Sequence, residues 1–246
     1  MASKRAVKGV RDRKEATEAI LLAGGLGSRL GEALPKAMVS LCGVPMVVWA
    51  ARALFESGAF LSILPVLPAK FCSKDTAVMK LLSTTGCRLA ISGGRERQES
   101  MGRGLKAVNP SSKWVAIHDA ARPLVDPSDV FRVVEAAQGE GAAILGSECV
   151  DTIKKVDGDR ILATESRSGR FLAQTPQVFR KDILLEAWEK AERDKFLGTD
   201  DAQLVERLGV AVTVVHSSTS NRKVTYKDDL VWAEAVLNRR QDGGVP

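Results

Sequence analysis

Short apolar runs alternate with longer stretches in which apolar residues recur every three or four positions. The short runs predict buried strands and the longer stretches predict helices. The predicted strands cover residues 19–23, 63–67, 87–91, 114–117, 142–145 and 211–216. The predicted helices cover residues 46–56, 98–108, 130–138, 182–193, 201–208 and 228–238. Strands separated by helices indicate βαβ units, and therefore a three-layer α/β/α fold around a mostly parallel, Rossmann-like sheet.

Residues 151–170 break this alternation. Residues 152–156 and 161–164 flank a turn at Asp157-Gly158, a pattern typical of a β-hairpin. The hairpin is polar and too small to carry a core, so we expect it to project as an arm or to pack on a partner. The predicted organisation is a leader over residues 1–17 and one domain over residues 18–246, with the arm at about 150–172.

Composition narrows the functional classes. Of the 246 residues 45% are hydrophobic and 27% are charged, as in soluble globular proteins. No apolar run approaches the roughly 18 residues of a membrane helix, and 5% aromatic residues disfavour a protein that stacks on single-stranded nucleic acid. Two histidines cannot form a histidine-rich metal site. The four cysteines contain no C-x-x-C pair, which favours reduced thiols and a cytoplasmic protein.

The net charge of +6 is concentrated at the start of the chain. The first fifteen residues hold six basic and two acidic side chains and no apolar segment of a secretory signal. This leader is interpreted as a solvated tail rather than a nucleic-acid-binding arm. The small surplus in the rest of the chain suits small anionic ligands.

A glycine-rich segment directly follows the first predicted strand. Residues 23–31 are A-G-G-L-G-S-R-L-G, and Pro35-Lys36 comes soon after. Glycines let backbone N–H groups approach phosphate oxygens closely, and Arg29 and Lys36 add positive charge beside them. The spacing matches neither G-x-G-x-x-G nor a P-loop. We therefore predict a phosphate-binding loop that belongs to neither a dehydrogenase nor a P-loop enzyme.

Two further segments follow predicted strands, where ligands bind in parallel sheets. Residues 118–123 are H-D-A-A-R-P; Asp119 is placed to hold Mg²⁺ and Arg122 to bind an anion, although an aspartate that caps a turn is the alternative. His118 is interpreted as structural. Residues 93–100, G-G-R-E-R-Q-E-S, give a weaker signal, either a ligand loop or the start of a charged helix.

These motifs occur together with D-T, Q-T-P-Q-x-F, T-D and N-x-K-V-T further along the chain. In this order, from about residue 19 to residue 225, they resemble the 2-C-methyl-D-erythritol 4-phosphate cytidylyltransferases of non-mevalonate isoprenoid synthesis. The resemblance implies a Mg²⁺-dependent nucleotidyltransferase that joins CTP to 2-C-methyl-D-erythritol 4-phosphate and releases pyrophosphate. It also implies a homodimer formed through the arm, and no nucleic-acid or membrane partner.

The resemblance carries residue roles over to this sequence. The implied catalytic residues are Arg29, Lys36, Lys223 and, reaching into a neighbouring subunit, Arg167. The implied nucleotide-binding residues are Ala23, Gly24, Gly25, Gly27, Gly94, Arg95, Ser100, Asp119 and Ala120. The residues implied around the methylerythritol phosphate are Arg122, Thr152, Thr175 and Thr199. Asp119 is also the implied metal ligand.

The chain departs from the family pattern at three positions. Leu30 replaces a usual methionine, Ser220 stands where an acidic residue is common, and Arg222 replaces an apolar residue. A cytidylyltransferase for another polyol phosphate, such as ribitol 5-phosphate, is one alternative. A catalytically silent nucleotide-binding regulator is the other, although such a protein would not need Arg29, Lys36, Asp119 and Lys223 together.

Overall fold

A computed structural model describes residues 15–24 and 34–241. Its strands in chain order are β1 Thr17–Leu22, β2 Ser40–Leu41, β3 Val44–Pro45, β4 Ser62–Leu67, β5 Ile91–Ser92, β6 Trp114–Asp119, β7 Ala142–Glu148, β8 Ile153–Asp157, β9 Arg160–Glu165, β10 Phe171–Arg180 and β11 Thr213–His216. Its α-helices are α1 Met46–Glu56, α2 Ala77–Leu82, α3 Arg97–Ala107, α4 Pro127–Glu140, α5 Lys181–Arg193, α6 Asp201–Glu206 and α7 Lys227–Gln241.

Seven of these strands form one sheet in the order β11-β7-β10-β6-β1-β4-β5. Strand β1 pairs in parallel with β4 and β6, β5 pairs in parallel with β4, and β11 pairs in parallel with β7. Only β10 runs antiparallel to its neighbours β6 and β7 within this sheet. The prediction of a mostly parallel sheet is therefore confirmed.

Alternate residues of the strands feed two separate cores. Ala19 and Leu21 of β1 join one core with residues of α1, α2 and α4, whereas Ile20 and Leu22 join the other with residues of α3, α5 and α6. Side chains point to opposite faces along a strand, so a continuous apolar run is what a sheet covered on both faces requires. This arrangement confirms the three-layer α/β/α fold. A third, smaller cluster packs α7 against the start of α1.

Several elements differ from the sequence prediction. Strand β10 was not predicted, although it lies in the middle of the sheet, and neither was α2 nor the short pair β2–β3. The predicted strand over residues 87–91 was wrong in extent, because β5 covers Ile91–Ser92 and Cys87 forms only an isolated bridge with Ile63. Helix α4 begins at Pro127, three residues before the predicted range of 130–138, and the Asp126 carboxylate caps it by accepting a hydrogen bond from the Ser128 N–H at 2.8 Å.

The predicted hairpin is present as a separate two-stranded sheet of β8 and β9. Its apolar side chains Val156, Ile161 and Leu162 are all exposed.

At the start of the described residues, Glu15 accepts hydrogen bonds from Lys113 and Trp114, so this residue lies with the folded body rather than with the predicted leader. No helix within residues 15–24 and 34–241 has the length and apolar character needed to cross a membrane.

Candidate active site

The carboxyl ends of β1, β4, β5 and β6 bring the predicted nucleotide-binding segments together. The N–H of Ala23 donates to Val66 O, that of Gly93 to Leu67 O and that of Ala120 to Leu22 O, each at 2.8–2.9 Å. These backbone bonds extend the ladder just beyond the strands. Three motifs that are far apart in the sequence therefore meet at one edge of the sheet.

The Ser100 hydroxyl fastens the loop after β5 to the start of α3. It accepts a hydrogen bond from the Gly94 N–H at 3.0 Å and donates one to Glu96 O at 3.1 Å. A Cβ added to Gly24 would lie 3.5 Å from Ser100 Oγ, and a Cβ on Gly93 would lie only 3.0 Å from it. Glycine at position 93 therefore permits the close approach of Ser100, whereas a Cβ at position 24 would make an ordinary contact. A direct contact between Ser100 and a nucleotide stays a prediction.

Arg95 is exposed beside this loop. Its N–H donates to a Glu99 carboxylate oxygen at 2.7 Å, and Glu99 also pairs with Arg103 at 2.6 Å. The backbone hydrogen bond from Arg95, followed by the bond from Arg103, lowers the pKa of Glu99. A Cβ on Gly94 would lie 2.3 Å from the Glu99 side chain, so a larger residue at position 94 would displace this carboxylate.

Asp119 lies at the centre of a buried network of charges. Its Oδ1 accepts from Arg97 Nε at 3.0 Å and its Oδ2 accepts from Lys223 Nζ at 2.7 Å. Burial alone would raise the pKa of Asp119, but the positive charges of Arg97 and Lys223 outweigh burial and hold this pKa far below its ordinary value. Asp119 is therefore ionised at neutral pH, and its two oxygens already face two cations.

Arg97 extends the network to Asp201. Its Nη1 and Nη2 donate to Oδ1 and Oδ2 of Asp201 at 3.0 and 2.7 Å, in the bidentate geometry that arginine forms with carboxylates. Burial would lower the pKa of Arg97, but Asp201 and then Asp119 raise it. Burial raises the pKa of Asp201 in spite of Arg97. Two carboxylates and two cations thus balance in charge at this point.

Thr175 and Arg122 lie on the other side of Asp119. The Thr175 hydroxyl accepts a hydrogen bond from the Asp119 N–H at 3.0 Å, and the Arg122 guanidinium donates to Asn221 O at 2.7 Å and to Ala173 O at 3.3 Å. Burial lowers the pKa of Arg122. Residues from β6, β10 and the segment before α7 are consequently locked together, and Lys223 belongs to the same segment.

His118 is fully buried between these groups. Burial, offset in part by Asp119 and reinforced by Arg122, lowers its pKa to about 4. An unfolded histidine has a pKa near 6.5, so between about pH 6.5 and pH 4 the unfolded chain binds a proton that the folded chain does not bind. Stability therefore falls with falling pH across this window.

We expect His118→Gln to remove about 2.4 kcal/mol of the stability that is lost between pH 7 and pH 4.5. Urea unfolding at pH 7 and at pH 4.5 measures the difference. His216→Gln, which replaces the exposed histidine of β11, is the matched control and should keep the acid dependence of the wild type. Equal acid dependence in the two variants would contradict a neutral, buried His118.

The remaining predicted site residues are more peripheral. Thr199 is exposed before α6, where its N–H and hydroxyl both donate to Gln203 Oε1. Thr152 and Arg167 are exposed near the hairpin, and the Arg167 guanidinium donates to Val150 O. Within the described part of this single chain, no hydrogen bond or ion pair joins Thr152 or Arg167 to Asp119, and their roles stay predictions.

Lys36 begins a single 3-10 turn, Lys36–Met38, behind Pro35. It is half-buried, whereas its neighbours Ala37 and Met38 are buried in the core that also contains Ala23 and Ala120. This packing anchors the backbone of Lys36 on the same core as the glycine-rich segment and the H-D-A-A-R-P motif. The predicted residues Gly25, Gly27 and Arg29 lie outside the described residues.

Sequence reasoning missed Arg97, Asp201 and Gln177 as site residues. Gln177 Oε1 accepts from the N–H groups of Asp201 and Ala202 at 3.1 and 3.0 Å, which fixes the start of α6 and so the position of Asp201. The signal was available in part, because Arg97 is the arginine of R-Q-x-S and Gln177 is the second glutamine of Q-T-P-Q. The spacing of these residues along the sequence did not indicate that they contact one another.

Comparison with known proteins places these motifs in one family. Residues 17–239 match the family model described as 2-C-methyl-D-erythritol 4-phosphate cytidylyltransferase. Proteins of that name from Pelotomaculum thermopropionicum and Syntrophus aciditrophicus are each 41% identical over 225 residues, covering 91% of this chain and 94% and 96% of theirs.

Solved structures agree with the sequence relatives. The crystal structure of the cytidylyltransferase from Thermus thermophilus is 33% identical, with a TM-score of 0.75 over 89% of this chain and 98% of that one. The 4-diphosphocytidyl-2C-methyl-D-erythritol synthase from Anaerococcus prevotii is 27% identical, with a TM-score of 0.79 over 92% of this chain and 100% of that one. Because the family model matches residues 17–239 and two relatives are 41% identical over 91% of this chain, the protein belongs to the 2-C-methyl-D-erythritol 4-phosphate cytidylyltransferase family.

Proposed function

We propose that this chain transfers the cytidylyl group of CTP to 2-C-methyl-D-erythritol 4-phosphate. The products are 4-diphosphocytidyl-2-C-methyl-D-erythritol and pyrophosphate, as in the family to which the chain belongs. The observation that carries the proposal is the contact of Lys223 and Arg97 with Asp119 beside the glycine loops. This contact joins three of the motifs at the edge of the sheet where nucleotides bind.

The reaction is an in-line attack by a phosphate oxygen of the polyol phosphate on the α-phosphorus of CTP. The P–O bond to the β-phosphate breaks, and pyrophosphate leaves with that electron pair. A phosphate is already a nucleophile at neutral pH, so the protein must position the reactants and neutralise charge rather than remove a proton. A site with several cations and a neutral, buried His118 suits this requirement.

The residues divide this work by position. The backbone around Ala23, Gly24, Gly25 and Gly27 receives the triphosphate, beyond the Ala23 N–H that donates to Val66 O. Gly94, Arg95, Ser100 and Ala120 border the cytidine. Arg29 and Lys36 stabilise the charge that develops around the α-phosphorus. Lys223, held against Asp119 at 2.7 Å, faces the incoming phosphate. Arg122, Thr152, Thr175 and Thr199 surround the methylerythritol phosphate.

A divalent cation is implied by the family. Within the described residues no group of three histidine, cysteine or acidic side chains could hold a metal. The single carboxylate of Asp119 fits the way Mg²⁺ commonly binds, through one or two carboxylates together with substrate phosphates. Each Asp119 oxygen keeps a lone pair beyond its ion pair. When bound, the cation would neutralise phosphate charge, and Asp119 would hold it.

We place the dimer contact on the β8–β9 arm. The exposed Val156, Ile161 and Leu162 leave apolar side chains on both faces of this small sheet uncovered in a single chain. Arg167, at the base of the arm, would then reach the site of the neighbouring subunit. We also assign the enzyme to the cytoplasm, in keeping with four cysteines that are all free.

A complementation experiment tests the role of Arg167. The variants Arg167→Ala and Lys36→Ala should each be nearly inactive, but a purified heterodimer of the two should regain about half of the wild-type turnover per dimer, because one of its two sites has both residues. Arg193→Ala, which removes an exposed arginine in the last turn of α5 and outside the arm, is the matched control and should keep full activity. A heterodimer without recovered activity would place Arg167 outside the neighbouring site.

The decisive test of the function measures pyrophosphate release from each of four nucleoside triphosphates with several polyol phosphates. We expect release only with CTP and 2-C-methyl-D-erythritol 4-phosphate. Faster release with ribitol 5-phosphate would favour the sister activity. No release with any pair, combined with tight CTP binding, would favour the silent regulator.

A further inference from the structure

A continuous chain of hydrogen bonds links the backbone of Asp119 to the backbone of Arg122 through two side chains. The Asp119 N–H donates to Thr175 Oγ1 at 3.0 Å, Thr175 Oγ1 lies 3.0 Å from His118 Nδ1, and His118 Nε2 lies 3.2 Å from Arg122 O. Thr175 is 4% exposed and His118 is fully buried, so bulk water does not compete for these bonds.

The direction of every bond follows by elimination. A carbonyl oxygen only accepts, so His118 Nε2 must carry a hydrogen to bond Arg122 O. The His118 ring is fully buried, and its hydrogen bonds within the described residues go to a carbonyl and a hydroxyl rather than to a carboxylate, which favours the neutral form. Nδ1 then has no hydrogen and accepts from the Thr175 hydroxyl. The single hydroxyl hydrogen of Thr175 is thereby committed to His118, and none remains for a substrate.

We infer that His118 and Thr175 are positioning residues, which hold Asp119 and Arg122 in place through this chain of hydrogen bonds. The inference rests on the roles proposed above for Asp119 and Arg122. It changes the role of Thr175, which acts through the protein backbone instead of donating its hydroxyl hydrogen to the methylerythritol phosphate. It also gives the histidine of the H-D-A-A-R-P motif a purpose that needs no proton transfer.

A second set of bonds closes the structure around Thr175. The Arg122 guanidinium donates to Asn221 O at 2.7 Å, and Asn221 Nδ2 donates to Thr175 O at 3.1 Å and to Gln174 Oε1 at 2.8 Å. Arg122 is therefore tied to Thr175 both through its own carbonyl and through its guanidinium. A substitution that removes the hydrogen bond between Thr175 and His118, or the one between His118 and Arg122 O, frees the Arg122 carbonyl. The Arg122 guanidinium can then shift.

Nitrogen NMR of the ¹⁵N-histidine-labelled protein tests the direction of the chain without using activity. The sequence contains two histidines, so His216→Gln assigns the signals of His118. We expect a neutral ring protonated on Nε2, and an Nδ1 signal that moves in Thr175→Val but stays in Thr175→Ser, which keeps a hydroxyl. A ring protonated on Nδ1, or an Nδ1 signal indifferent to Thr175→Val, would overturn the inference.

Steady-state kinetics with both substrates tests the positioning role. Loss of a buried hydrogen bond should lower kcat/KM for the polyol phosphate about ten- to hundred-fold in Thr175→Val and in His118→Phe. KM for CTP should change less than about threefold, because Arg97 and Lys223 still hold the Asp119 carboxylate. Thr175→Ser and His118→Asn, which keep a hydroxyl and an acceptor near Nδ1, should recover part of the loss. These two milder variants also serve if a larger change prevents folding.

The opposite pattern would show Thr175 to be a direct ligand. In that case Thr175→Val would raise KM for the polyol phosphate while folded His118→Phe kept wild-type kinetics, and the inference would fail. If the wild-type protein released no pyrophosphate at all, the proposed function would fail, whereas the NMR result would still decide the hydrogen-bond chain. The two failures are therefore distinguishable.

Discussion

Lys36→Ala should reduce turnover by roughly 10²–10³ while the protein folds normally. A preorganised cation beside the α-phosphorus contributes a few kcal/mol to transition-state stabilisation, which corresponds to a rate factor of this size. Lys36 is half-buried at the start of its 3-10 turn, and its buried neighbours Ala37 and Met38 keep the turn on the core after the side chain is shortened. The loss should therefore appear in kcat and hardly in stability.

Single-turnover release of pyrophosphate at saturating substrates measures this change. Lys74→Ala removes an exposed lysine in the loop before α2 and is the matched control, for which we expect wild-type turnover. Thermal unfolding of both variants checks that the fold is intact. If Lys36→Ala kept more than about a third of wild-type turnover, Lys36 would have no part in charge stabilisation.

Arg97→Met should lower the free energy of unfolding by about 3 kcal/mol. Removing one partner of a buried ion pair leaves an uncompensated charge, and this cost commonly reaches about 3–5 kcal/mol. Asp201 is 1% exposed and would lose its bidentate partner, whereas Asp119 would keep Lys223. The Arg97 side chain is itself 31% exposed, so water reaching the gap places the effect at the lower end of the range.

Urea unfolding compares this variant with Arg103→Met on the same helix. Arg103 pairs with Glu99, and both side chains are nearly half exposed, so its loss should cost no more than about 0.5 kcal/mol. Adding Asp201→Leu to Arg97→Met should recover part of the lost stability, because no buried carboxylate is then left without its partner. Equal stability of Arg97→Met and Arg103→Met would contradict the buried network.

Much of the fold was predictable because its pattern is local. Each β-α unit shows an apolar run followed by helical spacing, and the start of α4 carries its own signal in Asp126 and Pro127. Strand β10 escaped prediction because Gln174, Thr175 and Gln177 interrupt its apolar pattern. Those polar side chains are buried by partners from other elements, such as His118 and Asp119 for Thr175.

The candidate site likewise contains residues that the sequence predicted and residues that it did not. Asp119 and Arg122 were identified from a motif that follows a strand and so lies at the ligand-binding edge. Lys223 was identified from the resemblance to the family. The ion pair between Arg97 and Asp201 was not identified, because the two residues lie 104 positions apart in the sequence. No pattern of spacing reports such a pair.

By itself the sequence determined the three-layer architecture and the family, since hydrophobic periodicity and short motifs act over a few residues; the phosphate-binding role of the first loop stays a prediction. The tertiary structure alone decided which oxygens of Asp119 meet Arg97 and Lys223, and which neighbour receives the Thr175 hydrogen. These contacts depend on the antiparallel insertion of β10 between β6 and β7. Long-range packing sets these contacts, and charge and burial then determine the ionisation of Asp119 and Arg97.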